Sequence, residues 1–115
     1  MDAKNFNNIP KLYSQEKVSD PLVHVRFFTE SGCEWLATEF DGEDIFFGWC
    51  DLNQGFPELG YFSLEDFKEG NEISEGTNNP FYMFRTLIKI DKSFQPVKLS
   101  EAKQRKQNEI GRAHV

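Results

Sequence analysis

The stretch "EWLATEFDGEDIFFGWCDL", residues 34–52, decides how the chain is read. "EWLATEF", residues 34–40, has strand composition, and "DIFFGWCDL", residues 44–52, is apolar on both faces, as a strand in the middle of a sheet would be. Between them Asp41 and Gly42 form the dipeptide that most strongly signals a hairpin. A two-residue turn there would set Phe40 opposite Glu43 and Glu39 opposite Asp44, two carboxylates that repel unless a cation or a proton intervenes. A four-residue loop over Asp41–Asp44 would instead pair Phe40 with Ile45 and release the acids into water. Gly48, inside the second strand, signals a bulge or the close approach of another backbone.

Outward from this hairpin the pattern continues. "LVHVRFFT", residues 22–29, is β-branched and aromatic, with Val23, Val25 and Phe27 expected on one face and His24, Arg26 and Phe28 on the other. "LGYFS", residues 59–63, supplies a fourth strand. Ser63 is placed to cap a short helix over residues 64–70, with Asp66 at the third helical position. Residues 69–80 are rich in Gly, Asn and acids and read as a loop, and "FYMFRTLIKI", residues 81–90, returns to strand composition. Ser100 followed by Glu101, with Lys and Arg later and Gly111 beyond, favours a C-terminal helix over residues 101–110. The expected fold is therefore α+β: an antiparallel β-meander of about four or five strands with one or two helices, the last of them C-terminal. Residues 1–21 form an N-terminal arm, 22–98 the core domain and 99–115 a basic helical tail.

With 115 residues the chain has length for one core, and 12 Phe among its 15% aromatic residues mark a folded globule. The net charge of −6 is unevenly spread. Residues 30–75 carry 13 Asp or Glu against the single base Lys68, whereas residues 76–115 carry 8 Lys or Arg against 3 acids. An acidic middle disfavours nucleic acid and anionic membrane as its direct partners and favours a basic protein or a cation. The tail, through Lys103, Arg105 and Lys106, is the one place where nucleic acid would bind. Cys33 and Cys50 do not have zinc-motif spacing, and neither a metal nor an organic cofactor is expected. The first sixteen residues lack the apolar core of a signal peptide and no apolar run reaches 18 residues, so a soluble, cytoplasmic protein without membrane contact is expected.

"EFDGED", residues 39–44, admits three readings: a solvated hairpin tip, an acidic docking patch, or a metal or catalytic site. The ligand spacing of an EF-hand is absent. A carboxylate- or metal-dependent hydrolase would need distant residues, such as His24, to converge on these acids. The leading expectation is a non-enzymatic protein-binding module, with Glu39, Asp41, Glu43 and Asp44 meeting Lys or Arg on a basic partner and Trp35 or Phe56 as aromatic anchor. Open edge strands would also permit pairing into a dimer.

The segments "LYSQE" at 12–16, "VHVRFFT" at 23–29, "WLATEFDGEDIFFG" at 35–48 and "ELGYFSLEDF" at 58–67 together resemble a family of small bacterial proteins, domain of unknown function 2958. The resemblance covers roughly residues 9–100, and residues 69–80 and the tail fit it least. It implies no catalytic residue or cofactor. It does imply a phage, plasmid or integrated mobile-element setting, in which a small acidic protein would act on a host or defence protein, as an inhibitor or a mimic of nucleic-acid charge.

Overall fold

The computed structural model describes residues 1–76 and 87–113, with side chains described over residues 1–72 and 87–106. A five-stranded antiparallel sheet runs in the order β5-β4-β3-β2-β6, with β2 at Val25–Phe28, β3 at Glu34–Phe40, β4 at Ile45–Asp51, β5 at Glu58–Ser63 and β6 at Lys89–Ile90. Strands β2 to β5 form the expected meander, and β6 joins at its far edge. A two-stranded ladder of β1 (Leu22–Val23) and β7 (Val97–Lys98) accompanies helices α1 (Leu64–Gly76) and α2 (Leu99–Ala113). The fold class is the one the sequence predicts. Of the strand expected over residues 81–90, residues 81–86 lie outside the described part.

Each strand alternates between two cores on opposite faces of the sheet. On one face Phe27, Trp35, Ala37, Phe40, Phe46 and Phe62 pack with Leu64 and Phe67 of α1. This core is an aromatic lattice: Phe46 stacks on Phe40 at 4.2 Å and on Phe62 at 5.2 Å, while Phe67 reaches Phe27 at 5.1 Å. The arm supplies Phe6 and Ile9 to it, so the arm is part of the globule. On the other face Leu36 and Val23 pack under Val97, Leu99 and Ala102, which holds α2 against the domain.

The predicted strand over residues 22–29 is broken at His24. Strict alternation would put Val23 with Val25 and Phe27, but Val23 belongs to the α2 core while Phe27 is in the α1 core and Val25 packs against it. The His24 amide donates to the Ala37 carbonyl at 2.9 Å, and the chain changes sheets there. Helix α1 runs through Gly76 and so takes in much of the segment expected to be a loop. Ser63 does cap it, its hydroxyl accepting from the Asp66 amide at 3.1 Å. Helix α2 starts earlier than predicted, at Leu99. Its first turn is capped by Asp20, whose carboxylate takes both the amide and the hydroxyl of Ser100, at 3.0 and 2.7 Å.

The hairpin follows neither register suggested by its sequence. Phe40 pairs with Phe46, and between Ala37↔Gly48 and Glu39↔Phe47 strand β3 advances two residues while β4 advances one. Thr38 is the extra residue of a β-bulge. Gly48 pairs with Ala37 at the edge of the bulge, where nothing larger fits: a Cβ there would sit 1.9 Å from the Leu36 carbonyl oxygen. Gly48→Ala is therefore expected to lower stability by about 3 kcal/mol through forced backbone displacement. Gly60→Ala, whose Cβ would meet nothing closer than the Cys50 sulfur at 3.9 Å, changes it little. Denaturant midpoints of the two variants check this; equal midpoints would remove the close-approach explanation.

Candidate functional site

A bulge turns two successive side chains to one side of the strand. Here Thr38 and Glu39 both face the α2 side of the sheet, where they line a groove of about 340 Å³. Its floor continues with Phe47 of β4 and with Leu59 and Tyr61 of β5, in register as Phe47↔Tyr61 and Trp49↔Leu59. The N-terminal arm forms one wall through Tyr13, Glu16 and Val18, and Leu99 and Lys103 of α2 close the end.

Glu39 is only 4% exposed, although the sequence presents it as part of an acidic surface. Its two carboxylate oxygens accept the backbone amides of Tyr13 at 2.9 Å and Gln15 at 2.7 Å. Tyr13 adopts φ +70° in the turn that aims these amides inward. The Phe40 amide meanwhile donates to the Pro10 carbonyl at 2.8 Å. The arm thus passes from the aromatic core, past the end of β3, onto the opposite face. Burying a carboxylate is costly unless charge-assisted hydrogen bonds offset it, and the arm supplies them.

The other acids of "EFDGED" have separate tasks. Asp41 accepts three amides, from Glu43 at 2.8 Å, Asp44 at 2.8 Å and Ile45 at 3.0 Å. Partial burial works to raise its pKa, but these amides prevail and hold it below the usual aspartate value. Asp44 crosses to the start of α1, where it accepts the Ser63 hydroxyl at 2.9 Å and the Glu65 amide at 2.7 Å. Glu43 is exposed. Of the four carboxylates expected to form one docking patch, then, Glu39 faces inward and Asp44 is committed to the helix, leaving Asp41 and Glu43 at the surface.

The two aromatic anchors are also separated. Trp35 is buried against Phe67, with ring centroids 4.9 Å apart, and is a core residue. Phe56 is 89% exposed, but it sits in the β4–β5 turn. Seven-residue β4 lies between that turn and the acidic tip, a span of roughly 20 Å. His24, the base considered for a hydrolase, has its pKa lowered by burial. Among the described residues no three His, Cys, Asp or Glu side chains gather as metal ligands would. Burial, helped by Glu58, pushes the Cys50 thiol up to about 11, so it is protonated at neutral pH.

Among the described residues, Lys103 and Lys106 of the tail are engaged with the domain, and Arg105 pairs within the helix. The Lys103 ammonium lies 3.6 Å from the centre of the Trp49 ring. Lys106 binds Asp51 at 2.8 Å and the Gly32 carbonyl at 2.7 Å, and Arg105 pairs with Glu101 one turn back. No helix among the described residues is long and apolar enough to cross a membrane.

Residues 3–101 match the family described as "Protein of unknown function (DUF2958)". The chain belongs to this family. No curated protein and no solved structure matches it. The match takes in the arm, the whole meander and the start of α2, so every residue that lines the groove except Lys103, and everything that positions Glu39, falls inside the DUF2958 region. No sequence pattern marks the groove directly: the bulge that creates it leaves only a Gly, and its arm wall reads as polar linker.

Glu39→Gln is expected to cost about 2 kcal/mol, because one amide of the arm loses its carboxylate acceptor. Hydrogen exchange at Tyr13 and Gln15 should quicken while that of β3 stays slow; unchanged exchange would show that the carboxylate does not hold the arm. Asp51 yields a pH prediction. Burial works to raise its pKa, but Lys106 and the Asn53 amide lower it below the ordinary 3.8. Its contribution is therefore complete above that value and is lost as pH falls through the lower folded value. Asp51→Asn should lose about 1 kcal/mol at neutral pH and show a flatter stability decline below pH 4 than the parent protein. Parallel declines would show that Asp51 does not carry this linkage.

Proposed function

We propose that this domain is a non-enzymatic protein-binding module that docks on a basic protein surface, in the cytoplasmic setting of a phage, plasmid or other mobile element. The observation that carries this reading is the bond from Asp44 to the start of α1, which joins the exposed hairpin tip to an exposed acidic helix face. Glu43 at the tip is followed along α1 by Glu65, Glu69 and Glu72, which recur at helical spacing and are all exposed. Lys68, paired with Glu65 at 3.8 Å, is the only base on the described part of the helix. Acids in the first turn stabilise the helix itself through its dipole. Glu69 and Glu72 lie beyond that turn, and the ridge is longer than capping requires.

Such a ridge acts by steering: it raises the rate of encounter with a positive surface and covers that surface once bound. A nucleic-acid-binding host or defence protein offers a surface of this kind, and occupying it would inhibit that protein by imitating phosphate charge. The tail cations support this reading over direct nucleic-acid binding, since Lys103, Arg105 and Lys106 each have an intramolecular partner.

The test uses the full chain and a Glu43→Lys, Glu69→Lys, Glu72→Lys variant, with a basic protein captured at low salt and then purified. Association should slow about tenfold or more from low to high salt, and the variant should lose it. Binding that ignores salt and survives the three reversals would overturn the docking reading.

A further inference from the structure

The groove beside the arm combines features not accounted for by the ridge. Its lining mixes apolar side chains, among them Val18, Phe47, Leu59 and Leu99, with polar ones, and its outer rim is exposed: Tyr13, Leu59 and Tyr61 each leave half or more of their surface in water. At its floor lies the Glu39 carboxylate. Two amides occupy one position on each of its oxygens, but a carboxylate has about four acceptor positions, so capacity remains. No Lys or Arg among the described residues forms an ion pair with Glu39. Lys103, at the end of the groove, has its ammonium over the Trp49 ring.

Two carboxylates, Glu39 and Glu16, line the groove. The pKa of the Tyr61 hydroxyl is raised above its ordinary range, first by its interaction with Tyr13, then by desolvation, with smaller contributions from the charges of Glu39 and Glu16. The aromatic faces of Phe47 and Tyr61, whose rings meet at 5.0 Å, are surfaces on which a cation is favoured. Apolar side chains and ring faces along the groove, with a carboxylate at the floor, suit a ligand with an aliphatic stem and a positive end.

We propose that this groove receives a lysine or arginine side chain from the basic partner; the source of the cation rests on the docking reading above. The stem lies against Leu59, Val18 and Phe47, and the charged end approaches Glu39 and the rim carboxylate of Glu16. The groove thereby selects among basic partners that the acidic ridge attracts without discrimination.

The probes are N-acetyl-arginine amide and N-acetyl-lysine amide, with N-acetyl-norleucine amide as the uncharged control of similar stem length. Amide NMR of the full chain should show saturable shifts centred on Tyr13 and Gln15, the two amides on Glu39, with the cationic probes but not with norleucine. Tyr61→Ala and Glu16→Gln, both at exposed positions, should weaken binding severalfold while leaving the rest of the spectrum in place. The Glu43, Glu69, Glu72 reversal should leave it unchanged. Equal binding of norleucine, or shifts confined to α1, would overturn the groove assignment without touching the ridge. Probe binding at the groove alongside salt-insensitive partner capture would overturn the ridge and, with it, the partner as source of the cation.

Discussion

The interaction on which the rest of the structure depends is the buried bond between Glu39 and the backbone of the arm. A carboxylate inside a sheet packed on both faces would be strongly disfavoured, and β3 tolerates one because the bulge at Thr38 turns it toward the arm. Each component then constrains another. The bulge needs Gly48 at its edge, because the Leu36 carbonyl occupies the space of a side chain there. The amides of Tyr13 and Gln15 must reach the second face, so the arm must bend around the end of β3. Once there, its residues wall off a groove that the sheet alone would leave as an open surface. Stability and site thus share one carboxylate.

The division of charge along the chain has a structural meaning of the same kind. Part of the acidic middle is internal scaffolding: Glu34, together with Asp91 of the basic end, holds Arg26, Asp51 holds Lys106, and Glu30 meets Lys89. Two of these pairs, Asp51–Lys106 and Glu30–Lys89, join an acid of the middle to a base of the basic end. The basic end folds back on the acidic block: the partly buried Asp51–Lys106 pair ties α2 to the sheet, and the exposed Glu30–Lys89 pair lies beside β6. Charges spent in this way are unavailable to a partner. What stays outward is the smaller set at the hairpin tip and on α1, and a sum over sequence overstates it.

The meander was legible because its strands carry strong period-two and aromatic signals, as in "VRFF" and "FFGWC", with turn residues between them. The caps were partly legible: Ser63 acts as expected, but the cap of α2 comes from Asp20, 80 positions before Ser100, and no local pattern announces a partner so distant. The site was least legible. Glu39 and Asp41 look equivalent in sequence, yet one is buried and the other exposed, because burial is decided by a register shift of a single residue. Trp35 and Phe56 were both plausible anchors; only the fold separates a ring locked against Phe67 from one at the far end of the hairpin. Gly48 carried the missing information, since it marked the bulge without stating which side chains the bulge would turn.

The stretch "EFDGED" acts as a corner in this fold. The acidic face of α1 begins at one side of it, through Asp44, and the groove begins at the other, through Glu39. These two features lie on opposite faces of the sheet, which the arm connects around the same end. A flat partner could engage the ridge or the groove but not both. A partner that inserts a basic side chain at Glu39 while its positive surface meets α1 must be concave and must clasp this end of the hairpin. Nucleic-acid-binding clefts have that shape and that charge, since they are built to surround a negative polymer. If ridge and groove serve one partner, as proposed, the corner asks for a cleft, and a convex basic surface would leave half of the contact unmade.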